Sequence, residues 1–264
     1  MRKFNIISKY DDNSKLLAEK IKNSLLENDF VFEEKNPDLV IILGGDGKLL
    51  RTIHNYLDQI DSIDFVTFTT GTLGYASDFA QTEIDDFINN LISNEYSIEK
   101  IHLLEATINY YHKKEKKYAL NEIRLENRHH TCIIDVYLND QHFENFRGNG
   151  ICVSTPFGST GYNKSLNGAV VLNNVEVLQV TEIAGIHNTT YHSLGNSLIV
   201  NKNTVVSLKP TSKYSLIGMD HLIIDSNDLK SVDVRYSDKY IRFAHYKHKN
   251  CVDRIKKAFI YGKK

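Results

Sequence analysis

Leu39-Val40-Ile41-Ile42-Leu43-Gly44-Gly45-Asp46-Gly47-Lys48-Leu49-Leu50 is the stretch from which the fold is read. Its first five residues are apolar without alternation, which predicts a short strand buried on both faces, as in a parallel sheet flanked by helices. The chain then breaks at Gly44, Gly45 and Gly47 around one carboxylate, Asp46. Leu49, Leu50, Ile53, Tyr56 and Leu57 recur at helical spacing directly afterwards. The loop therefore joins the carboxyl end of a parallel strand to a helix amino terminus, a place where phosphates bind. Glycines there bring backbone N–H groups close to anionic oxygens. A lone aspartate would repel those oxygens unless it has chemistry to do, and the chemistry expected of Asp46 is handling a hydroxyl proton. The alternative is a tight strand-to-helix turn with no ligand.

On either side of this stretch the pattern is α/β. Lys3 to Ser8 reads as a strand and Asp11 to Leu26 as an amphipathic helix, with Asp11, Asp12, Asn13 and Ser14 as capping candidates. Phe30 to Phe32 reads as a short edge strand and Phe65 to Thr69 as a further one. Ile84, Phe87, Ile88, Leu91 and Ile92 mark a last helix entered through Thr82 and Glu83. Strands separated by helices imply right-handed crossovers and a Rossmann-like parallel sheet. From about Tyr96 the period changes to two. Leu104, Ala106, Ile108 and Tyr110 share one face, Lys113 to Lys117 reads as a polar turn before a strand over Tyr118 to Ile123, and Cys132, Ile134, Val136 and Leu138 alternate. Asn139-Asp140 turns into His142 to Phe146, and further strands are expected over 151–154, 177–183, 198–200, 204–208, 221–224, 232–236 and 241–245. The division expected is an α/β domain over 1–95, an all-β, sandwich-like domain over 96–245, and a helical tail over 246–264 that packs back on the first domain.

A chain of 264 residues with net charge −1 and well-mixed charges buries a sizeable core and disfavours a nucleic-acid surface built on bulk positive charge. Cys132, Cys152 and Cys251 are odd in number and far apart, so neither a disulfide framework nor a CxxC metal site is expected, which fits a reducing cytoplasm. Residues 1–30 lack a signal-type apolar core and no apolar run approaches the ~20 residues of a membrane span. A soluble protein without a membrane partner is the expectation.

Three further stretches carry chemistry. Thr70-Gly71-Thr72-Leu73-Gly74-Tyr75 follows a predicted strand and falls at the same sheet edge as Asp46. Tyr75 is either a cover for a flat ring or a core aromatic beneath a turn. Asn121-Glu122 has the donors and acceptors to grip the paired hydroxyls of a ribose, with a solvated strand end as the plainer alternative. Arg147 to Ser165 has glycines at 148, 150, 158 and 161 and hydroxyls at 154, 155, 159, 160, 162 and 165, a set of small hydrogen-bonding groups suited to a nucleotide. A serine-hydrolase reading of Ser159 fails, because Gly-x-Ser-x-Gly needs a glycine at 157, where Phe157 stands. His187 with His192, and His245 with His248, have ligand-like spacings, but no carboxylate or cysteine completes a metal site in the sequence.

Taken together these stretches resemble the NAD kinase family over nearly the whole chain. Gly44-Gly45-Asp46-Gly47, Thr70 to Tyr75, Asn121-Glu122, Arg147 to Ser165, Thr181-Glu182-Ile183-Ala184 and Asp220-His221 occur in the family's order and approximate spacing. The first motif is shared with diacylglycerol, sphingosine and phosphofructo-kinases, whereas Ser154 to Tyr162 is far more specific. The resemblance implies transfer of a phosphoryl group from ATP, or in some members polyphosphate, to the 2′-hydroxyl of the adenosine ribose of NAD, giving NADP, with Mg2+ bridging the donor phosphates. It implies that Asp46 contacts the accepting hydroxyl as general base, and that Gly44, Gly45, Gly47 and neighbouring backbone face phosphates. It further implies Tyr75, in place of the usual Phe, near the adenine. Asn121 and Glu122 match the ribose-side pair, Ser159 and Thr160 lie where adenine is read, Tyr162 and Ser165 fall on the nicotinamide side, and Gly161 belongs to the NAD-binding set. Arg147 belongs to the same NAD-binding block, while Asn149 and Ala184 are expected from a neighbouring subunit of a dimer or homotetramer.

Four positions depart from the family pattern. Lys48 stands for Thr, Asn149 for Asp, Gly161 for Ala, and Phe157 for a small polar residue. Asn149 loses the charge that would favour a cationic nicotinamide ring. Lys48 either contacts phosphate or lies in solvent, and solvent is slightly preferred because a first-turn lysine sits beside the positive helix end. A lipid kinase with the same glycine loop would need an apolar acceptor groove, a non-catalytic dinucleotide sensor would have little use for Asp46, and an NAD-linked dehydrogenase would need a Gly-x-Gly-x-x-Gly fingerprint that the first strand lacks.

Overall fold

The computed structural model describes all residues except 72–73, 78, 94, 128, 212–214, 247–250 and 262–264. The chain runs through β1 (Lys3–Ser8), α1 (Asp12–Leu26), the two-residue β2 (Val31–Phe32), β3 (Leu39–Leu43), α2 (Asp46–Asn55), β4 (Asp64–Thr69), β5 (Phe79–Ala80) and α3 (Ile84–Ser93). Every pairing among these strands is parallel, in the order β2-β1-β3-β4 with β5 beside the end of β4. All five residues of β3 are 0% exposed. Leu39, Ile41 and Leu43 share a core with Ile21 and Leu25 of α1 and with Phe87 and Leu91 of α3. On β4 Phe65 meets Tyr56, just after α2, edge-on at 6.1 Å. The unbroken apolar run is thus explained by helices covering a parallel sheet.

Of the four capping candidates, Asp11 caps α1, its carboxylate accepting the Ser14 N–H at 2.8 Å. The glycine stretch is shorter as a loop than its sequence suggests. Gly45 is the N-cap of α2, and Asp46 and Gly47 already belong to the first turn. Acidic residues are favoured there by the helix dipole, and glycine's entropic cost is accepted where the backbone must approach closely.

β6 (Ser97–Tyr110) leads into β7 (Lys114–Ala119), β8 (Glu122–Glu126), β9 (Cys132–Leu138), β10 (Gln141–Gly148), β11 (Gly150–Ser154), the four-residue α4 (Tyr162–Ser165), β12 (Val177–Ile183), β13 (Leu198–Asn201), β14 (Val206–Pro210), β15 (Leu216–Met219), β16 (Leu222–Asp225) and β17 (Leu229–His245). One sheet has the order β13-β12-β11-β8-β15-β16, and a second has β10-β9-β14-β17 continued by β6 and β7. Alternate residues of both, such as Ile134, Val206 and Val232 from one and Ile123, Ile151 and Leu178 from the other, form a single core. That is the sandwich the alternation predicts.

Four details differ from the sequence expectation. The polar stretch Lys113 to Lys117 is mostly strand, because among the described residues β7 pairs only with β6 and an edge strand tolerates lysines. Tyr118 to Ile123 is interrupted between Ala119 and Glu122, where Leu120 and Asn121 turn under a side-chain clamp described below. Strand β15, over Leu216–Met219, is additional to the expected set. The segments 232–236 and 241–245 are one strand, since the polar residues between them stay extended: the Ser237 carbonyl is bonded by the His102 ring, and the Tyr240 N–H by Asp61.

The chain forms two compact units, Met1–Ile101 with Lys239–Lys264, and His102–Asp238. In the first, the end of β17 lies parallel to β4, and the tail contributes α5 (Cys251–Ile255), which is followed by a wider helical turn over Lys256–Ile260. Asp64 at the start of β4 is buried and receives Arg2 at 2.7 Å, Arg242 of β17 at 2.7 Å and the Tyr96 hydroxyl at 2.9 Å. Removing this buried carboxylate leaves two partly buried guanidinium groups without their shared acceptor. Asp64→Ala is expected to cost about 3–5 kcal/mol in urea unfolding at neutral pH, with m unchanged.

Candidate active site

In the first unit the candidate residues gather at the carboxyl edge of the parallel sheet. A Cβ on Gly44 would lie 2.9 Å from Cβ of Lys48, so this position holds only hydrogen without a shift of α2. Gly47 has nothing within 4 Å of where its Cβ would be, leaving open space beside the helix start. Asp46 is partly exposed, and both its oxygens are held by the next loop: the Tyr75 N–H donates to Oδ2 at 3.1 Å and the Ala76 N–H to Oδ1 at 3.2 Å. Thr72 and Leu73 of that loop lie outside the described residues.

Lys48 is half-buried with its ammonium 5.3 Å from the Tyr10 ring centre, and burial first, then Arg51, lower its pKa. Lys9, at the end of β1, brings Cε to 3.6 Å from the Cβ position of Gly44 and Nζ to 4.0 Å from that of Gly71. Neither lysine pairs with a carboxylate among the described residues. Lys9 was not among the sequence candidates, since a lone lysine after a strand carries no signal until the sheet places it beside the glycines.

Tyr75 is 6% exposed. Its hydroxyl oxygen lies 3.4 Å from Sγ of Cys251, its ring 6.5 Å from that of Phe259, and burial followed by the cysteine contact pushes its pKa far up. The core reading of this aromatic describes the free chain.

In the second unit the Asn121-Glu122 turn is fixed from two sides. The Asp220 carboxylate accepts N–H groups from Leu120 at 2.9 Å, Asn121 at 2.7 Å and Glu122 at 3.4 Å. The Thr155 hydroxyl donates to the Leu120 carbonyl at 2.7 Å, and its N–H to the Asn121 carbonyl at 2.9 Å. Gly158 comes so close that a Cβ would sit 2.0 Å from the Asn121 carbonyl oxygen, which admits no other residue.

What this rigidity presents is a pair of side-chain oxygens. Oδ1 of Asn121 and Oε2 of Glu122 are buried and have no hydrogen-bond partner among the described residues. Burial, then the charge of Asp220, pushes the Glu122 carboxyl up to about 7, with Arg124 partly opposing. Gly161 lies alongside, its Cβ position 3.3 Å from Nδ2 of Asn121 and 3.8 Å from Oε2 of Glu122. Asp220 and Thr155 do the holding. Asp220 entered the sequence reading only as part of a motif, because its role depends on a strand a hundred residues away.

Other candidates divide. Tyr162 and Asn149 line one cavity of about 260 Å³ with Arg124, Glu126, Asn127 and Ile183, and the Arg124 guanidinium lies 4.8 Å from the Tyr162 ring centre. Thr160 is partly exposed and donates to the Phe157 carbonyl at 3.0 Å. The Ser159 hydroxyl is wholly buried, donating to the Pro156 carbonyl at 2.6 Å and accepting the Val171 N–H at 2.9 Å, so it fastens the loop. Ser165, Asn149 and Ala184 are exposed, and Arg147 stacks on Tyr191 at 4.2 Å. Two histidines do have carboxylate neighbours: Glu182 lies 3.2 Å from His187, and Glu99, distant in sequence, 2.8 Å from His245. His248 is outside the described residues. Among the described residues no three His, Cys, Asp or Glu side chains gather as a metal site, and no helix is long and apolar enough to cross a membrane.

Comparison with known proteins bears on both units. Residues 120–246 match the family model of the ATP-NAD kinase C-terminal domain. The chain is 36% identical over 264 residues to NAD kinase 1 of Bacillus anthracis, covering 99% of this chain and 100% of that protein. It is 38% identical over 260 residues to the NAD kinase of Geobacillus stearothermophilus, with 97% and 96% covered. The fold is shared with yeast NADH kinase complexed with NADH (TM-score 0.84, 18% identity, 100% of this chain and 89% of that one). It is shared also with an NAD kinase from Archaeoglobus fulgidus in complex with ATP (TM-score 0.74, 18% identity, 98% and 96%). Full-length identity at this level, on top of a glycine loop that holds an aspartate and a clamped Asn-Glu turn, shows that the chain belongs to the NAD kinase family.

Proposed function

We propose that this protein transfers the terminal phosphoryl group of ATP to the 2′-hydroxyl of the adenosine ribose of NAD, making NADP. The observation that carries the reading is Asp46, an aspartate fixed by two backbone N–H groups at a glycine-lined helix start. Phosphoryl transfer asks little covalent chemistry of a protein, so positioning and charge neutralisation dominate. Gly44, Gly45, Gly47 and the first N–H groups of α2 receive donor phosphate, and Lys48 and Lys9 supply positive charge beside them. This makes Lys48 a phosphate contact, against the slight preference for solvent. Asp46 accepts the hydroxyl proton late, as the new P–O bond forms, because a carboxylate is a weak base toward a ground-state alcohol.

The second unit binds the dinucleotide. Asn121 and Glu122 take ribose hydroxyls on their free oxygens, which supplies the partners those buried atoms lack. Thr160, Gly161 and Tyr162 line the base and nicotinamide sides with Ser165, and Ser159 keeps their loop in shape. Tyr75, in the first unit, stays in its core and serves through its backbone N–H to Asp46. Arg147 orders the neighbouring loop through Tyr191. Mg2+ fits as a companion of the donor, since it binds through substrate phosphates and few protein groups; it supplies charge neutralisation at the phosphates. Exposure of Asn149 and Ala184 suits contribution to a neighbouring subunit in a dimer or tetramer, and three cysteines without a disulfide among them suit the cytoplasm.

The direct test is incubation with Mg-ATP and NAD, with NADP read by an NADP-specific dehydrogenase; NAD bound without NADP formed would favour a sensor, and polyphosphate in place of ATP would reassign the donor. Asp46→Asn is expected to keep NAD affinity and lower kcat by about a hundredfold or more. Lys48→Thr is expected to raise KM for ATP about tenfold at unchanged KM for NAD, as loss of one charge-assisted hydrogen bond implies. Glu122 adds a pH signature. Below its unfolded pKa of 4.5 the carboxyl is neutral in both states, and as pH rises through about 7 the buried group must ionise, so stability is lost. Urea unfolding should show Glu122→Gln gaining about 3 kcal/mol on the wild type between pH 4.5 and 8.

A further inference from the structure

The carboxyl-terminal segment reaches the loop that holds Asp46. Arg254 of α5 is 4% exposed, and its guanidinium is 2.6 Å from Oε2 of Glu99 and 3.1 Å from Nε2 of His245, which itself lies 2.8 Å from the same carboxylate oxygen. Three residues earlier, Cys251 touches the Tyr75 hydroxyl at 3.4 Å, and Phe259 of the following turn lies against the Tyr75 ring at 6.5 Å. The backbone N–H of that same tyrosine, with that of Ala76, fixes the two oxygens of Asp46. A continuous path of contacts within one unit thus runs from Arg254 through the tail to Tyr75 and Asp46.

An apolar anchor would dock the tail without burying an arginine and a histidine against a partly exposed glutamate, and such an ion pair is weak evidence for stability. What such a group supplies is direction: a guanidinium meeting a carboxylate and an imidazole fixes the helix in rotation and register, which a greasy contact does not. Fixing α5 fixes Cys251 and hence the ring whose backbone carries Asp46.

We propose that Arg254 is a positioning residue for phosphoryl transfer, holding the tail so that Tyr75 and Ala76 orient Asp46. The inference rests on Asp46 as the base. Arg254→Met is expected to lower kcat on the order of tenfold, with KM for NAD and for ATP within about twofold. Arg254→Lys, which keeps the charge toward Glu99, is expected to recover part of that loss. In an Asp46→Asn background, Arg254→Met should produce no further loss of residual turnover, because the two act as one unit. Should Arg254→Met fail to fold, Cys251→Ala against Cys251→Ser carries the same test at a half-exposed position, with serine expected to retain the kcat that alanine loses.

Unchanged kcat in both Arg254→Met and Cys251→Ala would overturn the proposal, as would an equal loss with and without Asp46. Loss of kcat that merely tracks the folded fraction, measured by circular dichroism on the same samples, would also overturn it. Full activity of Asp46→Asn alone would instead remove the reading on which the proposal rests, so the two failures are distinguishable.

Discussion

A carboxylate set among glycines at a helix start has to be held, because nothing in a loop of hydrogens restrains it. Here the restraint is a pair of backbone amides, Tyr75 and Ala76, from the loop after the neighbouring strand. Much of the first unit serves that arrangement. Parallel pairing of β3 with β4 brings the two loops to one edge, the wholly buried β3 keeps that edge in register, and the tail presses on the tyrosine from outside. A one-residue slip of β3 would turn Ile41 toward the opposite helices and carry Asp46 away from its donors.

The second unit solves a different problem by the same means. Asn121 and Glu122 can offer bare oxygens only if their backbone is satisfied elsewhere, since an unsatisfied peptide group in a buried turn costs as much as the side chains gain by binding. Asp220 and Thr155 satisfy it, and Gly158 permits the close approach. The raised pKa of Glu122 is the cost of burying a carboxyl beside Asp220. Stability is given up at a rigidly held carboxyl, a common pattern at pre-organised sites.

Two of the positions that depart from the expected family pattern differ in charge. Lys48 in place of threonine adds positive charge beside Gly44, where Lys9 already stands. Asn149 in place of aspartate leaves the cavity beside Tyr162 with Arg124 as its cation and Glu126 as its carboxylate.

The sequence by itself determined the parallel sheet and the sandwich, because an unbroken apolar run and strict alternation leave few other ways to bury these side chains. It determined the glycine loop, the Asn-Glu pair and the family for a similar reason: close approach of backbone to backbone or ligand restricts residue type at fixed spacing. Strand boundaries were less legible, as at Lys114–Ala119 and through Ser237, where pairing with a neighbour overrode polar composition. Tertiary structure alone decided which groups hold the site. Asp220 under Asn121, Lys9 beside Gly71, Glu99 with His245 and Arg254, and Cys251 against Tyr75 are partners separated by up to 176 positions along the chain. A hydrogen bond or ion pair depends on a few ångströms of separation, and no local pattern encodes a distance that only the folded sheet creates.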